Sequence, residues 1–240
     1  MSKGIVISLY DYTGEALKPW AMNGYTCYAL DIQHEGWTIE SYGNKNDEHV
    51  GSINYRYADL HDLTTHKDLL AEFSGRRVVF GMAFPVCTDL AVSGAAWFKR
   101  KAEHDPEFQE KAAQYAIDCS NLFEYMGCPY FIENPVSVLA TKWRKPDHSF
   151  HPYEYGEYIP DDEAEHPRWP DYIAPKDAYT KKTCLWTSHS FRMPHRIPTC
   201  KPNGYSTQHL KLGGKSQRTK DIRSATPRGF ATAVYEFNRA

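Results

Sequence analysis

Apolar positions in this chain fall into short runs cut by turn residues, and the runs alternate between a strand period and a helix period. Residues 5–10 are β-branched and apolar, and they stop at Asp11-Tyr12-Thr13-Gly14, the punctuation of a strand running into a helix. A short helix is expected next, because Pro19 suits a first turn, Leu17, Trp20 and Ala21 share a side, and Asn23-Gly24 ends it. Residues 25–30 then predict a second strand ending at Asp31, and residues 77–82 and Tyr130-Phe131-Ile132 predict two more buried strands. Between those two lies the best-marked helix: Asp105 as N-cap, Pro106 at the first position, Phe108, Ala112, Tyr115, Ala116, Cys119, Leu122, Phe123 and Met126 at helical spacing, and Gly127 as the stop. A last helix is expected from Thr226-Pro227, burying Phe230, Ala231, Val234 and Tyr235. Strands alternating with helices predict an α/β fold with a mostly parallel sheet.

Composition modifies this picture in one region. Residues 141–205 hold nine of the 15 prolines together with Trp143, Trp169 and Trp186, which argues against long regular elements. They read as an irregular insertion packed by aromatics, within a single domain of residues 1–240 whose core is 1–140 and whose end, 206–240, is a basic segment and a helix. The 240 residues carry a formal net charge of -2, so a polyanion would have to be met locally. Residues 211–228 offer such a patch, with Lys211, Lys215, Arg218, Lys220, Arg223 and Arg228 against Asp221 alone; a solvated charged loop is the plainer reading. Mean hydropathy of -0.63 leaves no membrane span, and the start of the chain, with a strand almost at once, predicts a cytoplasmic protein without a membrane partner. Six isolated cysteines make neither a disulfide scaffold nor a zinc-finger spacing, and His148 and His151 lack companion ligands, so no metal is expected. Gly213-Gly214-Lys215-Ser216 lacks the earlier glycine and the preceding strand of a phosphate-binding loop.

The candidate chemistry lies at predicted strand ends, where doubly wound sheets bind ligands. Tyr12, Thr13 and Gly14 form a turn that lets backbone amides approach an anionic group. Asp31 is placed to accept from ribose hydroxyls, and Asp59, followed by Leu60, to meet an amino group; each is also an ordinary capping residue. Cys87, in Phe84-Pro85-Val86-Cys87-Thr88-Asp89, sits in a loop after a strand and is a candidate nucleophile, although taken alone a structural cysteine is slightly the more expected reading and the next strand end tips the balance. Phe131-Ile132-Glu133-Asn134-Pro135 ends the next strand, so a parallel sheet would bring Glu133 beside Cys87 as nucleophile and proton donor.

In this order, Asp11-Tyr12-Thr13-Gly14, Asp31, Asp59, Pro85-Val86-Cys87 and Glu133-Asn134-Pro135 resemble the motifs of the cytosine-5 DNA methyltransferases, and the chain is similar to small methylase-like proteins of phages and prophages. The resemblance implies a Rossmann-like methyltransferase fold and S-adenosylmethionine as cofactor, held by Tyr12, Thr13, Gly14, Asp31, Asp59, Leu60 and Pro85. It implies that Cys87 adds to C6 of cytosine while Glu133 and Asn134 act at the base, and that a methyl group passes to C5. Lys181, Lys182, Lys215, Arg218, Arg223 and Arg228 would meet the DNA. Departures are plain. One glycine follows Tyr12, Thr88 replaces a glutamine, Lys181-Lys182 stands nearest to a glutamine-arginine-arginine motif, and no room is left for a target-recognition domain. RNA or a pyrimidine nucleotide as substrate, a protein partner supplying recognition, and a catalytically silent scaffold therefore stand as alternatives.

Overall fold

The protein is described by a computed structural model over residues 2–43, 51–204, 206–213 and 216–239. It opens with β1 (Ile5–Leu9), a 3-10 turn (Glu15–Leu17), α1 (Lys18–Met22), β2 (Thr26–Asp31), β3 (Trp37–Tyr42) and β4 (Gly51–Tyr57). Next come α2 (Leu63–Phe73), β5 (Val78–Ala83), α3 (Phe98–His104), α4 (Phe108–Met126), β6 (Tyr130–Pro135) and α5 (Leu139–Lys142). The chain closes with β7 (His148–Phe150), β8 (Thr183–Thr187), α6 (Thr207–Lys211), α7 (Gln217–Ser224) and α8 (Arg228–Asn238).

One eight-stranded sheet runs in the order β3-β4-β2-β1-β5-β6-β8-β7. Its five central strands, β4 to β6, are parallel, while β3 pairs antiparallel with β4 and β8 antiparallel with both β6 and β7. Among them β1, β2 and β5 are largely apolar and buried on both faces, as a strand covered by helices on each side must be. Alternate side chains enter opposite cores: Ile5, Ile7 and Leu9 meet Leu69, Phe73 and the apolar stripe of α4, whereas Val6 joins Trp20, Phe80, Phe230 and Val234 on the side of α1 and α8. The expected strands at the start of the chain and the closing helix are present, with Phe230, Ala231, Val234 and Tyr235 all buried.

Two expectations are corrected. Residues 141–205 are not an irregular insertion: they supply β7 and β8, and Cys184, Leu185 and Trp186 of β8 are buried between β6 and β7. The proline-rich stretches around them are indeed irregular and packed by rings, Phe150 stacking on Phe230 at 4.0 Å and Tyr155 standing edge-on to it. Asp105 does not cap α4. It follows the last residue of α3, its carboxylate accepts from the Glu107 amide at 3.1 Å, and α4 starts at Phe108. Pro106, which lacks an N–H and crowds the preceding turn, stops α3 here instead of opening α4. The β3–β4 pair, α2 and α3 carry weaker patterns and were not predicted.

Candidate active site at the carboxyl edge of the sheet

Strand order reverses between β1 and β5, because the chain runs outward from β1 through β2 to β4 and then returns to β5 and β6 on the other side. The loops leaving β1 and β5 diverge at such a point and open a crevice.

On the β1 side, Tyr10 adopts a left-handed conformation (φ 56°), and its hydroxyl donates to the Leu60 carbonyl at 3.0 Å. Asp11, buried, organises the next turn: it accepts from Ser8 Oγ at 2.7 Å, the Gly14 amide at 2.8 Å and Thr13 Oγ1 at 3.4 Å. Burial pushes its carboxyl above the usual range; the Ser8 and Gly14 donors oppose this, and the like charges of Asp31 and Glu15 add to it. Gly14 is required twice over, by φ 67° and by Tyr55, whose hydroxyl would lie 2.6 Å from any Cβ there. Tyr12 points outward and stacks on His34 at 5.4 Å, while His34 Nε2 lies 3.2 Å from the Asp11 carbonyl. Asp31 is buried at the end of β2, and both Gln33 donors, the amide at 2.8 Å and Nε2 at 3.1 Å, go to Oδ1. Beyond β4, Asp59 accepts from the His61 amide at 3.0 Å, which is a turn-capping role. Leu60 lies in the core, its carbonyl met by Tyr10 and by His66 Nε2, so its side chain belongs to the scaffold under the site.

On the β5 side, Pro85 is buried and its carbonyl accepts from Asn134 Nδ2 at 3.2 Å, which ties the ends of β5 and β6 together. Asn134 is fully buried, and its Oδ1 has no partner among the described residues. Cys87 is partly buried, and its carbonyl receives the amides of Leu90 and Ala91, so the loop folds back directly after the thiol. Burial pushes the Cys87 thiol up, the Glu133 carboxylate pushes it further, and the Lys181 ammonium opposes both. Burial likewise raises the Glu133 carboxyl, again opposed by Lys181.

The sequence sets Lys181 among the expected DNA contacts, and the fold also brings it beside Glu133 and Cys87. Because β8 runs antiparallel to β6 with Thr183 opposite Pro135, the two residues before Thr183 extend past the carboxyl end of β6 and set Lys181 before Glu133. The signal was a lysine two residues before a strand, and nothing local says which strand it pairs with. A cleft beside these groups is lined by Phe84, Glu133, Phe150, Lys181, residues 224–227 and Phe230, with room (about 10 Å³) for one water. A larger cleft outside α1 and α8, about 170 Å³ and lined by Glu15, Lys18, Pro160 and Arg228, shares no residue with it.

The three arginines expected to meet DNA are engaged within the chain. Lys182 is exposed, Arg218 lies over the Tyr172 ring at 5.4 Å, Arg223 donates to the Leu212 carbonyl at 2.7 Å, and Arg228 donates to the Glu163 and Ala164 carbonyls at 3.0 Å. Lys215 lies outside the described residues.

No protein-family model matches the sequence, and no curated protein does. The reading of the site therefore rests on its own chemistry. Among the described residues no three His, Cys, Asp or Glu side chains converge as metal ligands, and no helix is long and apolar enough to cross a membrane.

Proposed function

We propose that this protein transfers a methyl group from S-adenosylmethionine to C5 of cytosine in DNA, with Cys87 as nucleophile and Glu133 as acid. The observation that carries the reading is the placement of Cys87 and Glu133 at the ends of adjacent parallel strands, beside the point where strand order reverses, with Lys181 acting on both.

The groups around β1 and β2 suit an adenosyl sulfonium: an outward aromatic face at Tyr12, a buried carboxylate at Asp31 for ribose hydroxyls, and an accumulation of acids at Asp11, Glu15 and Asp31 that favours a cation. Tyr12, Thr13, Gly14, Asp31 and Pro85 would hold it, with Asp59 and Leu60 shaping the turn behind. When bound, S-adenosylmethionine supplies an electrophilic methyl group on sulfur. Cytosine C5 is a weak nucleophile until its ring is activated. Cys87 Sγ, as thiolate, would form a bond to C6 while Glu133 delivers a proton to N3, leaving an enamine-like C5 able to accept the methyl as its bond to the cofactor sulfur breaks and S-adenosylhomocysteine leaves. Loss of the C5 proton to water, return of the N3 proton to Glu133 and breakage of the Sγ–C6 bond would restore the ring, the acid and the thiolate. Burial raises the Glu133 carboxyl and so favours the protonated form that a donor needs, while Lys181 opposes the rise of the Cys87 thiol. A target in duplex DNA must also leave the base stack, at a cost of a few kcal/mol.

Trapping tests this directly. Incubated with S-adenosylmethionine and a duplex containing 5-fluorocytosine, the protein should form a covalent adduct on Cys87, seen by denaturing mass spectrometry and missing in Cys87→Ala. Cofactor binding without an adduct on DNA sinks the DNA reading and moves the substrate to RNA or a nucleotide. The narrow cleft and the raised thiol favour one second reading, a silent scaffold, and failure to bind cofactor at all would select it.

A further inference from the structure

The cleft beside Glu133 is roofed by residues 224–227, the end of a strap, residues 216–227, made of α7 and the turn into α8. This strap is attached differently from its neighbours. Its buried residues Ile222 and Ala225 belong to a small apolar cluster with Trp169, Ile173, Tyr179 and Leu212, separate from the two cores that sandwich the sheet. Small satellite clusters under surface segments open at lower free energy than the main core. The chain just past the strap is pinned: the Gly229 amide donates to Asp177 Oδ2 at 3.0 Å, and Gly229 packs so tightly that a Cβ would lie 2.2 Å from the Tyr155 carbonyl oxygen. Movement is thus confined to the segment before α8.

Beside the neutral contacts of Gln217 with Gln33 and of Thr219 with the Gly213 carbonyl, the strap is held by cations bonded to neutral partners. Lys181 Nζ, from the cleft wall, donates to the Arg223 carbonyl at 2.9 Å, and Arg223 reaches the Leu212 carbonyl while Arg218 covers Tyr172. None of the three forms an ion pair among the described residues. A cation bonded to a carbonyl exchanges readily for a phosphate, whose full charge makes the stronger hydrogen bond.

We propose that residues 216–227 are a strap over the active-site cleft that polyanion binding releases: phosphates take Lys181, Arg218 and Arg223 from their partners within the chain, and the strap lifts from Glu133. In the closed state the cleft has room for about one water, too little for a base. The latch stands on the structure alone; that the polyanion is DNA rests on the function proposed above.

Hydrogen–deuterium exchange of the full chain, read at the amides of Gln217–Ser224, tests it. Lys181→Met should raise exchange there about tenfold or more without any nucleic acid, the loss expected for one charge-assisted hydrogen bond, while Lys181→Arg restores protection and α8 stays protected in both. A short single-stranded oligodeoxynucleotide should raise exchange at the same amides in the unaltered protein. Unchanged exchange in Lys181→Met overturns the latch. An oligonucleotide that binds by fluorescence anisotropy yet leaves these amides equally or better protected overturns release. If no oligonucleotide binds, inorganic polyphosphate replaces it: release by polyphosphate keeps the strap and removes DNA as its partner, and no release by either probe overturns the proposal.

Discussion

Cys87 is governed by two opposite charges that the fold brings to it from other strands. Glu133 reaches it because β5 and β6 are parallel neighbours, and Lys181 because β8 returns antiparallel beyond the end of β6. A neighbouring carboxylate disfavours the thiolate and an ammonium favours it, so the two substitutions must act in opposite directions. Glu133→Gln should shift the pH profile of Cys87 alkylation by iodoacetamide to lower pH, and Lys181→Met should shift it to higher pH. Both are measured against Cys87→Ala, because the chain has five other thiols, four of them buried. Shifts of the same sign in the two variants would separate Lys181 from the site. Asn134 contributes differently, since its amide nitrogen fastens the Pro85 carbonyl while the unpartnered Oδ1 stays available for a donor.

Among the elements, α8 depends on a buried acid. Asp177, in a left-handed conformation (φ 51°), caps the start of the helix through Gly229, where a carboxylate complements the helix dipole. Burial nevertheless dominates, and the carboxyl is pushed up to about 6 against the pull of the Gly229 amide and Arg228. A folded-state value above the unfolded one means that the folded protein binds the extra proton, so this group's contribution to stability falls as pH rises from about 4 to about 6. Two units correspond to at most about 3 kcal/mol. Asp177→Asn keeps an acceptor for Gly229, tolerates the left-handed backbone and cannot ionise. Urea unfolding at pH 4.5 and 7.5 should therefore show the unaltered protein losing on the order of 2 kcal/mol more than the variant over that interval. Equal pH dependence would show that Asp177 does not titrate in the fold.

At the scale of the whole molecule, the order β6-β8-β7 makes the second half of the chain part of the main sheet. Residues 1–140 alone would expose the long edge of β6 and leave Phe131 without Phe191 and Phe230, which pack on it at 6.0 and 5.9 Å. An unpaired hydrophobic edge of this kind drives aggregation. The fragment 1–140 should be insoluble or, if refolded, lack the dispersed amide spectrum of a packed domain; a soluble, dispersed fragment would restore the division at residue 140. The same closure explains why residues late in the chain, Lys181 and 224–227, border a site whose nucleophile lies at position 87.

Much of the site was legible because its residues stand at the ends of buried strands, and buried strands announce themselves as unbroken apolar runs. Ile5–Leu9 and Val78–Ala83 are followed within a few residues by Tyr12 to Gly14 and by Cys87, and Tyr130–Pro135 carries the Glu133-Asn134 pair at its own end, so local sequence determined those positions, as it determined α8 from its apolar stripe. The three-residue β7 and the Thr-Cys-Leu-Trp-Thr run of β8 were hidden among prolines, since short strands carry no period of their own. Only the tertiary structure decided that β8 pairs with β6, that Lys181 thereby faces Cys87 and Glu133, and that the basic stretch after residue 211 spends its arginines on carbonyls and a ring. Those outcomes depend on pairing between segments far apart in sequence, where partner and direction are chosen by the sheet edge left to be covered and not by the residues' own propensities.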